Sequence, residues 1–298
     1  MTDMPETVHR LVTSLTSDFR IVADHSSAGE GRPAVREVEG SDGRRWFAKH
    51  NPGPKLYRRE VDAYQRGWAA ALGRDRAPLL AAFDGEARTI VTTAVPGRTV
   101  RSLRLDSKEE QEVYRQAGLL LARLNTAEAD APRSGACAMS WDESVEKMLV
   151  GASLYLTTND IAMLRAITKD APPVLPRLVS HGDFMPRNWL WDGTERRLRI
   201  IDFERTCVES AMCRDFPRLV YRILRARPDL EAAFEAGYGR TLTADERQAL
   251  STYAALDAVS ALRWGIEHRD IESIDEAHTM LRHLHAEYSV RSRRDTSG

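Results

Sequence analysis

The chain has 298 residues, of which 42% are hydrophobic and 29% charged, and its formal net charge is −1. This composition is typical of a globular protein with a substantial core and argues against a disordered or fibrous chain. With almost no net charge, no overall field would attract nucleic acid or an anionic membrane. The three cysteines are too few and too irregularly spaced for a disulfide framework or a zinc site. Free thiols are typical of a reducing cytoplasm. The N-terminus has no apolar signal core, and no apolar run is long enough to span a membrane. These features predict a cytoplasmic protein with no membrane partner.

The first part of the chain, up to about residue 95, is predicted to be rich in strands. Its one long helix is indicated by apolar side chains at helical spacing, namely Tyr57, Val61, Tyr64 and Trp68. The predicted elements are, in chain order, a short helix near 5–16, strands at 19–24, 34–40 and 44–50, the long helix at 55–70, and two strands within 77–95 that turn at Asp84-Gly85.

Pro96-Gly97 ends the strand-rich part, and the sequence that follows is mostly helical in pattern. Ser107 and Glu110 have the spacing of a capping box, which predicts a helix from Ser107 to about Asn125. The further predicted helices lie at 140–152, 157–169, 214–226, 229–237, from a second capping box at 243–246 onward, and at 271–289. Only a short hairpin, formed by 189–192 and 198–202, is expected to interrupt them.

These elements predict an α+β fold with two lobes. A small antiparallel β lobe would span residues 1–95, and a larger helical lobe would span residues 96–298. The crevice between two such lobes is a natural place for a ligand.

The residues best suited to chemistry flank the predicted hairpin, in HGDFMPRN at 181–188 and in RIIDFE at 199–204. The carboxylate of Asp183 can accept or orient the proton of an attacking hydroxyl. The amide oxygen of Asn188 can ligate Mg²⁺, which prefers oxygen donors. Because the hairpin returns Asp202 to the neighbourhood of Asn188, this pair could hold one or two Mg²⁺ ions, as phosphoryl transfer requires.

These two motifs resemble the catalytic and metal-binding loops of the aminoglycoside phosphotransferase and choline kinase superfamily, relatives of the protein kinases. The resemblance extends over about residues 20–285. Protein kinases carry H-R-D-x-x-x-x-N and D-F-G at these places. Here Glu204 replaces the last glycine, as is usual in the small-molecule branch. The resemblance implies a kinase-like fold, an ATP-dependent phosphotransferase that acts on a hydroxyl of a small molecule, and Mg²⁺ as cofactor.

The same resemblance implies a nucleotide site in the first part of the chain. Lys49, at the end of the third strand, would bind the nucleotide phosphates, and Glu60 from the following helix would hold it. Glu60 is a better inward-facing acid than Asp62, since it lies about 70° rather than about 130° from the centre of the apolar stripe. The backbone from about Thr93 to Val95 would hydrogen-bond a purine base.

The glycine loop departs from the family pattern. Gly29 and Gly31 could cradle phosphate through their backbone N–H groups, but the segment lacks G-x-G-x-x-G. This departure leaves the choice of ATP over GTP open.

Two further residues are expected to support the loops. His181 would hydrogen-bond backbone near Asp202 instead of carrying protons. Asp215 matches an aspartate that in the family braces the catalytic loop from the following helix.

Two residues of the motifs keep several possible roles. Arg187 could contact phosphate or be an exposed loop arginine. Glu204 could serve the metal, the acceptor or a salt bridge.

The identity of the acceptor molecule is the feature of the reaction that the sequence determines least. The segment 265–278 carries five acids and one arginine, and among these acids Glu267 and Asp270 are candidates for binding a cationic acceptor. A solvated helix face would have the same pattern. An antibiotic or another amino-bearing acceptor, with a role in resistance, is therefore one hypothesis. The alternatives are a housekeeping kinase for choline, ethanolamine, homoserine or a sugar amine, and a nucleotide-binding pseudokinase without activity.

Overall fold

The structure is a computed structural model that describes residues 6–26, 32–128 and 140–295. Gly29 and Gly31, the predicted phosphate-binding glycines, lie outside the described residues, as does Cys137. Within the described residues the chain divides into two compact units. The first is built from residues 6–105, 123–128 and 181–207, and the second from residues 106–122, 140–180 and 208–295.

The helices and strands follow the chain in this order. The helices are α1 (Glu6–Thr13), α2 (Pro54–Gln65), α3 (Trp68–Ala71), α4 (Ser107–Asn125), α5 (Trp141–Ala152), α6 (Thr158–Ile167), α7 (Asp215–Arg222), α8 (Pro228–Tyr238), α9 (Ala244–His268) and α10 (Ile271–Asp295). The strands are β1 (Phe19–Asp24), β2 (Ala34–Gly40), β3 (Arg45–His50), β4 (Leu80–Asp84), β5 (Thr89–Thr93), β6 (Arg98–Thr99), β7 (Arg177–Ser180), β8 (Trp189–Asp192), β9 (Arg197–Ile200) and β10 (Cys207–Ser210). The predicted α+β class is confirmed.

The first unit contains a five-stranded antiparallel sheet with the strand order β1-β2-β3-β5-β4. One face packs on α1, where Trp46 and Ala48 of β3 are buried together with Val8 and Val12. Because side chains alternate along a strand, Lys49 projects from the opposite face, beside its cross-strand neighbour Ile90. This second face packs on Tyr57 and Val61 of α2, so β3 directs Lys49 towards the helix that carries Glu60.

Most helices and strands lie where the sequence predicted them. Three features differ from the prediction: the continuity of one helix, the cap of another and three short strands. The helix predicted at 55–70 is interrupted by Gly67, whose φ of 75° is left-handed, so that α2 ends at Gln65 and α3 begins at Trp68. The cap of α4 is Asp106 instead of Ser107, since the Asp106 carboxylate accepts a hydrogen bond from the Glu109 N–H at 2.9 Å. The short strands β6, β7 and β10 were not predicted.

The second unit is largely helical. In it α9 and α10 pack on each other, and α7 packs on both. The capping box predicted at 243–246 is present, with Thr243 and Glu246 exchanging hydrogen bonds at the start of α9. Across the described residues, no helix has both the length and the apolar character needed to span a bilayer.

An ion-pair network ties α7, α9 and α10 together inside the second unit. Asp257 of α9 accepts from Arg218 and Arg222 of α7, each at 2.8 Å, and Arg222 also contacts Glu276 of α10. Only 12% of the Asp257 side chain is exposed. Burial alone would raise the pKa of Asp257, but the two arginines outweigh it and hold that pKa below the usual value.

We expect Asp257→Asn to destabilise the fold by about 3 kcal/mol near neutral pH, because it leaves two arginines without their shared anion. A carboxyl with a depressed folded pKa contributes stability above its unfolded pKa of about 3.9, and this is lost as the pH falls through the folded pKa. Urea unfolding between pH 7 and pH 2 should therefore show a flatter acid decline in the variant than in the wild type. Asp245→Asn, an exposed change in the same helix, is the control. An equal acid slope in wild type and Asp257→Asn would contradict the assignment.

Candidate active site

Lys49 lies among three carboxylates in the first unit. Its Nζ is 2.5 Å from Asp202 Oδ1, 2.8 Å from Glu204 Oε2 and 3.0 Å from Glu60 Oε2. Burial alone would lower the pKa of Lys49, but the charges of the three acids outweigh it and hold that pKa well above its usual value. The surrounding acids therefore favour the charged form of Lys49, whose side chain is 12% exposed and directed into the site.

Glu60 is 3% exposed, and it contacts Asn51, a residue that no sequence pattern had marked. Asn51 is fully buried just after β3, and its Nδ2 donates to Glu60 Oε2 at 3.1 Å. Burial raises the pKa of Glu60 to about 7, against the opposing charge of Lys49. Asn51 and Lys49 thus share the task of holding a carboxylate that would otherwise be costly to bury.

The hairpin of β8 and β9 brings Asn188 and Asp202 together. Trp189 pairs with Ile200 in this hairpin, and the Ile201 N–H donates to the Asn188 carbonyl at 3.0 Å. Asp202 then adopts a left-handed backbone with φ 67° and ψ 71°. Such a conformation costs a non-glycine residue about 1–3 kcal/mol and is concentrated at functional sites.

The loop before the hairpin presents Asp183. Asn188 Nδ2 donates to both the Asp183 carbonyl and Asp183 Oδ2 at 2.9 Å, and these two bonds do not use the amide oxygen of Asn188. Arg187 also donates to Asp183. Gly182 must be glycine here, since its φ is 79° and a Cβ would lie 2.4 Å from the Arg205 carbonyl oxygen.

His181 and Asp215 are the two residues predicted to support the loops, and each makes a hydrogen-bond contact within its own unit. His181 is completely buried, and its Nε2 is 3.1 Å from the Ile201 carbonyl oxygen, the backbone contact near Asp202 that the sequence predicted. Asp215, at the start of α7, accepts from the hydroxyl of Ser180 at 2.8 Å. Ser180 directly precedes His181 in the chain.

The acids around Lys49 fit a divalent cation. Ligand oxygens of Glu60, Asp202 and Glu204 all lie within 4.8 Å of one another. One ammonium faces three carboxylates, so an excess of negative charge remains for a hard cation that takes oxygen ligands. Asp202 and Asn188 were the predicted ligands, and Glu204 adds a carboxylate that the sequence had left open among several roles.

The backbone from Thr93 to Val95 was predicted to hydrogen-bond a purine base. The Thr93 N–H donates to the Leu79 carbonyl and the Ala94 N–H to the Arg45 carbonyl, both at 2.9 Å. Of the three residues predicted to meet a base, Val95 is therefore the one whose N–H is not committed to either of these contacts.

In the second unit, the exposed Glu267 lies 3.5 Å from Arg263. Asp270 caps α10 by accepting from the Ser273 N–H at 3.1 Å. Each of these two candidate acceptor-binding acids already has a protein partner.

A family model described as the phosphotransferase enzyme family matches residues 28–257 of the chain. The chain belongs to this family. No curated protein sequence matches it.

Solved structures of similar fold include several phosphotransferases. The GDP and kanamycin complex of APH(2")-IIia has a TM-score of 0.64 at 16% identity, with 94% of this chain and 99% of that one covered. Macrolide 2'-phosphotransferase MphH from Brachybacterium faecium has a TM-score of 0.58 at 16% identity, with coverage of 93% and 98%. Spectinomycin phosphotransferase APH(9)-Ia, with ADP and spectinomycin, has a TM-score of 0.64 at 13% identity, with coverage of 96% and 99%. At these identities the likeness shows the fold.

Within this member of the phosphotransferase family, sequence reasoning missed two contacts of the site. Asn51 could have been suspected only as a polar residue directly after a lysine-bearing strand. The Arg187 contact with Asp183 has a visible signal, since the two residues are four apart in one tight loop.

Proposed function

We propose that this protein transfers the γ-phosphate of ATP to a hydroxyl of a small, antibiotic-like or amino-bearing acceptor. One observation supports this most strongly: an unbroken set of contacts joins Asp183 to Asn188, Asn188 to the residue before Asp202, and Asp202 to Lys49. These are the residue types that phosphoryl transfer uses for the acceptor proton, the metal and the nucleotide phosphates.

The residues divide the reaction between them. Asp183 would accept the proton of the acceptor hydroxyl as the new O–P bond forms and the bond from the γ-phosphorus to the leaving nucleoside diphosphate breaks. Lys49, held by Glu60, would bind the phosphates, and the Val95 N–H would meet the base. Asn188, Asp202 and Glu204 would hold Mg²⁺, which when bound neutralises phosphate charge.

Two weaker observations support an antibiotic-like or amino-bearing acceptor. The names of the structural neighbours include kanamycin, spectinomycin and macrolides. The acidic segment 265–278 favours a cationic group. The segment's charge is partly matched, however, because Glu267 lies beside Arg263 and Glu276 pairs with Arg222. An amino-bearing acceptor would therefore have to compete with these arginines.

The test is mass spectrometry of candidate acceptors after incubation with the protein, Mg²⁺ and either ATP or GTP. The panel holds aminoglycosides, macrolides and spectinomycin on one side, and choline, ethanolamine and homoserine on the other. A gain of one phosphoryl group on an antibiotic supports the proposal, and a gain only on a metabolite replaces it with a housekeeping kinase. Nucleotide binding without transfer to any acceptor would favour the pseudokinase.

Lys49→Met should weaken ATP binding at least tenfold, or about 1.4 kcal/mol, because the variant lacks the ammonium that meets the phosphates and leaves three carboxylates that repel them. Isothermal titration calorimetry with ATP and Mg²⁺ measures this. Lys55→Met removes an exposed lysine in the same unit and should leave the affinity unchanged. Equal affinities for the two variants would remove Lys49 from the nucleotide site.

A further inference from the structure

Arg187 engages both carboxylate oxygens of Asp183. Its Nη2 donates to Oδ1 at 2.5 Å and its Nε to Oδ2 at 3.1 Å. Asn188 Nδ2 adds a further bond to Oδ2 at 2.9 Å. A carboxylate held at both oxygens by a planar fork cannot rotate about its own axis without breaking a charged hydrogen bond.

The local backbone makes this contact possible. Pro186 begins a 3-10 turn, Pro186–Asn188, directly after the loop that carries Asp183. Proline fixes φ at the first position of such a turn, and the turn folds Arg187 back over the residue four positions earlier. The contact is therefore local, since a single short turn lies between the two residues.

This pair differs from an ordinary surface ion pair. Only 9% of the Asp183 side chain and 33% of the Arg187 side chain are exposed. Exposed pairs contribute little because solvent screens them and the side chains lose entropy on pairing. Here one partner is buried, and its orientation is fixed at the same time by Asn188.

We propose that Arg187 is a positioning residue for phosphoryl transfer: its guanidinium fork fixes the plane of the Asp183 carboxylate so that an oxygen of Asp183 meets the acceptor hydroxyl. This inference rests on the proposed function, since it assigns Asp183 to the acceptor. Arg187 itself exchanges no proton in the reaction, in which the hydroxyl proton passes to Asp183 and the bonding electron pair leaves with the nucleoside diphosphate. A displacement of the carboxylate by about 1 Å can cost about a hundredfold in rate.

Kinetics of two Arg187 variants test the role. Arg187→Ala should lower kcat by about ten- to a hundredfold and leave the KM for ATP within about twofold of wild type, because the nucleotide contacts of Lys49 are not altered. Arg187→Lys should recover little of the loss, since an ammonium is a point charge without a fork. Guanidinium ion added to Arg187→Ala should restore part of kcat, and ammonium ion should not.

Arg197→Ala is the matched control. Arg197 belongs to the same unit, its side chain is 37% exposed, and it lies 3.7 Å from the acids Asp75 and Glu195. Its replacement should leave kcat unchanged. The proposal is overturned if Arg187→Lys is as active as wild type, if Arg187→Ala loses no kcat, or if kcat and the KM for ATP deteriorate together with a fall in melting temperature.

An NMR measurement on the Arg187 side chain distinguishes a failure of this proposal from a failure of the proposed function. The Nε–H signal of Arg187, assigned by its disappearance in Arg187→Lys, should exchange slowly with water in the substrate-free wild type and rapidly in Asp183→Asn. If this holds while no acceptor is phosphorylated, the clamp on Asp183 stands and the proposed function fails. If acceptor is phosphorylated but the signal does not respond to Asp183→Asn, the clamp fails and the function stands.

Discussion

Asp183→Asn should lower phosphoryl transfer by about a hundred- to ten-thousandfold, the contribution typical of a positioned general base, while nucleotide binding remains close to that of wild type. The substitution keeps the size of the side chain and an oxygen that can still accept from Asn188. It removes the charge that would take the acceptor proton. Lys49, Asp202 and Glu60 keep their mutual contacts, so the phosphates should still bind.

The measurement pairs steady-state turnover with calorimetric titration of ATP. Asp62→Asn, an exposed acid on α2, is the control and should change neither quantity. Transfer by Asp183→Asn at more than a tenth of the wild-type rate would show that another group receives the proton. A loss of nucleotide affinity that accompanied the loss of turnover would instead place Asp183 in the phosphate site.

The sheet and the hairpin were predictable because their signals are local. Strand-forming residues bounded by turn residues marked β1, β2 and β3, and Lys49 was placed at the end of the third of these strands. The helical stripe of α2 then placed Glu60 inward rather than Asp62. Asn188 and Asp202 are separated by only one hairpin, so their proximity follows from the turn at Gly193 and the register of two short strands.

Other features depend on contacts that local patterns do not encode. The strand β6 is only two residues long, too short for periodicity to distinguish it from loop. The strands β7 and β10 form a two-stranded sheet from segments far apart in the chain, a pairing that no local pattern marks. Asp106 and Ser107 are both good caps, and only the backbone geometry selects the first. Asn51 lies nine positions before its partner Glu60, and nothing in the spacing marks the pair.

The close crossing of α4 and α8 in the second unit is another such feature, and it carries the largest stability effect that we expect. A Cβ at Gly237 of α8 would lie 1.7 Å from the Arg115 carbonyl oxygen, and a Cβ at Gly118 of α4 would lie 2.1 Å from the Phe234 carbonyl oxygen. Each helix therefore uses a glycine to admit the backbone of the other. Backbone atoms cannot move aside as the end of a flexible side chain can.

Gly237→Ala should accordingly lower the free energy of unfolding by about 3 kcal/mol or more, since overpacking against rigid backbone is costly. Helix propensity acts in the opposite direction, because alanine is favoured over glycine by only about 1 kcal/mol inside a helix. Gly151→Ala in α5 provides the contrast: its Cβ would meet only Arg263 Nη1, at 3.2 Å, and a guanidinium can shift. Urea unfolding should show Gly151→Ala at or above wild-type stability and Gly237→Ala far below it. If the two variants unfolded at the same urea concentration, α4 and α8 could not be packed backbone to backbone as they are here.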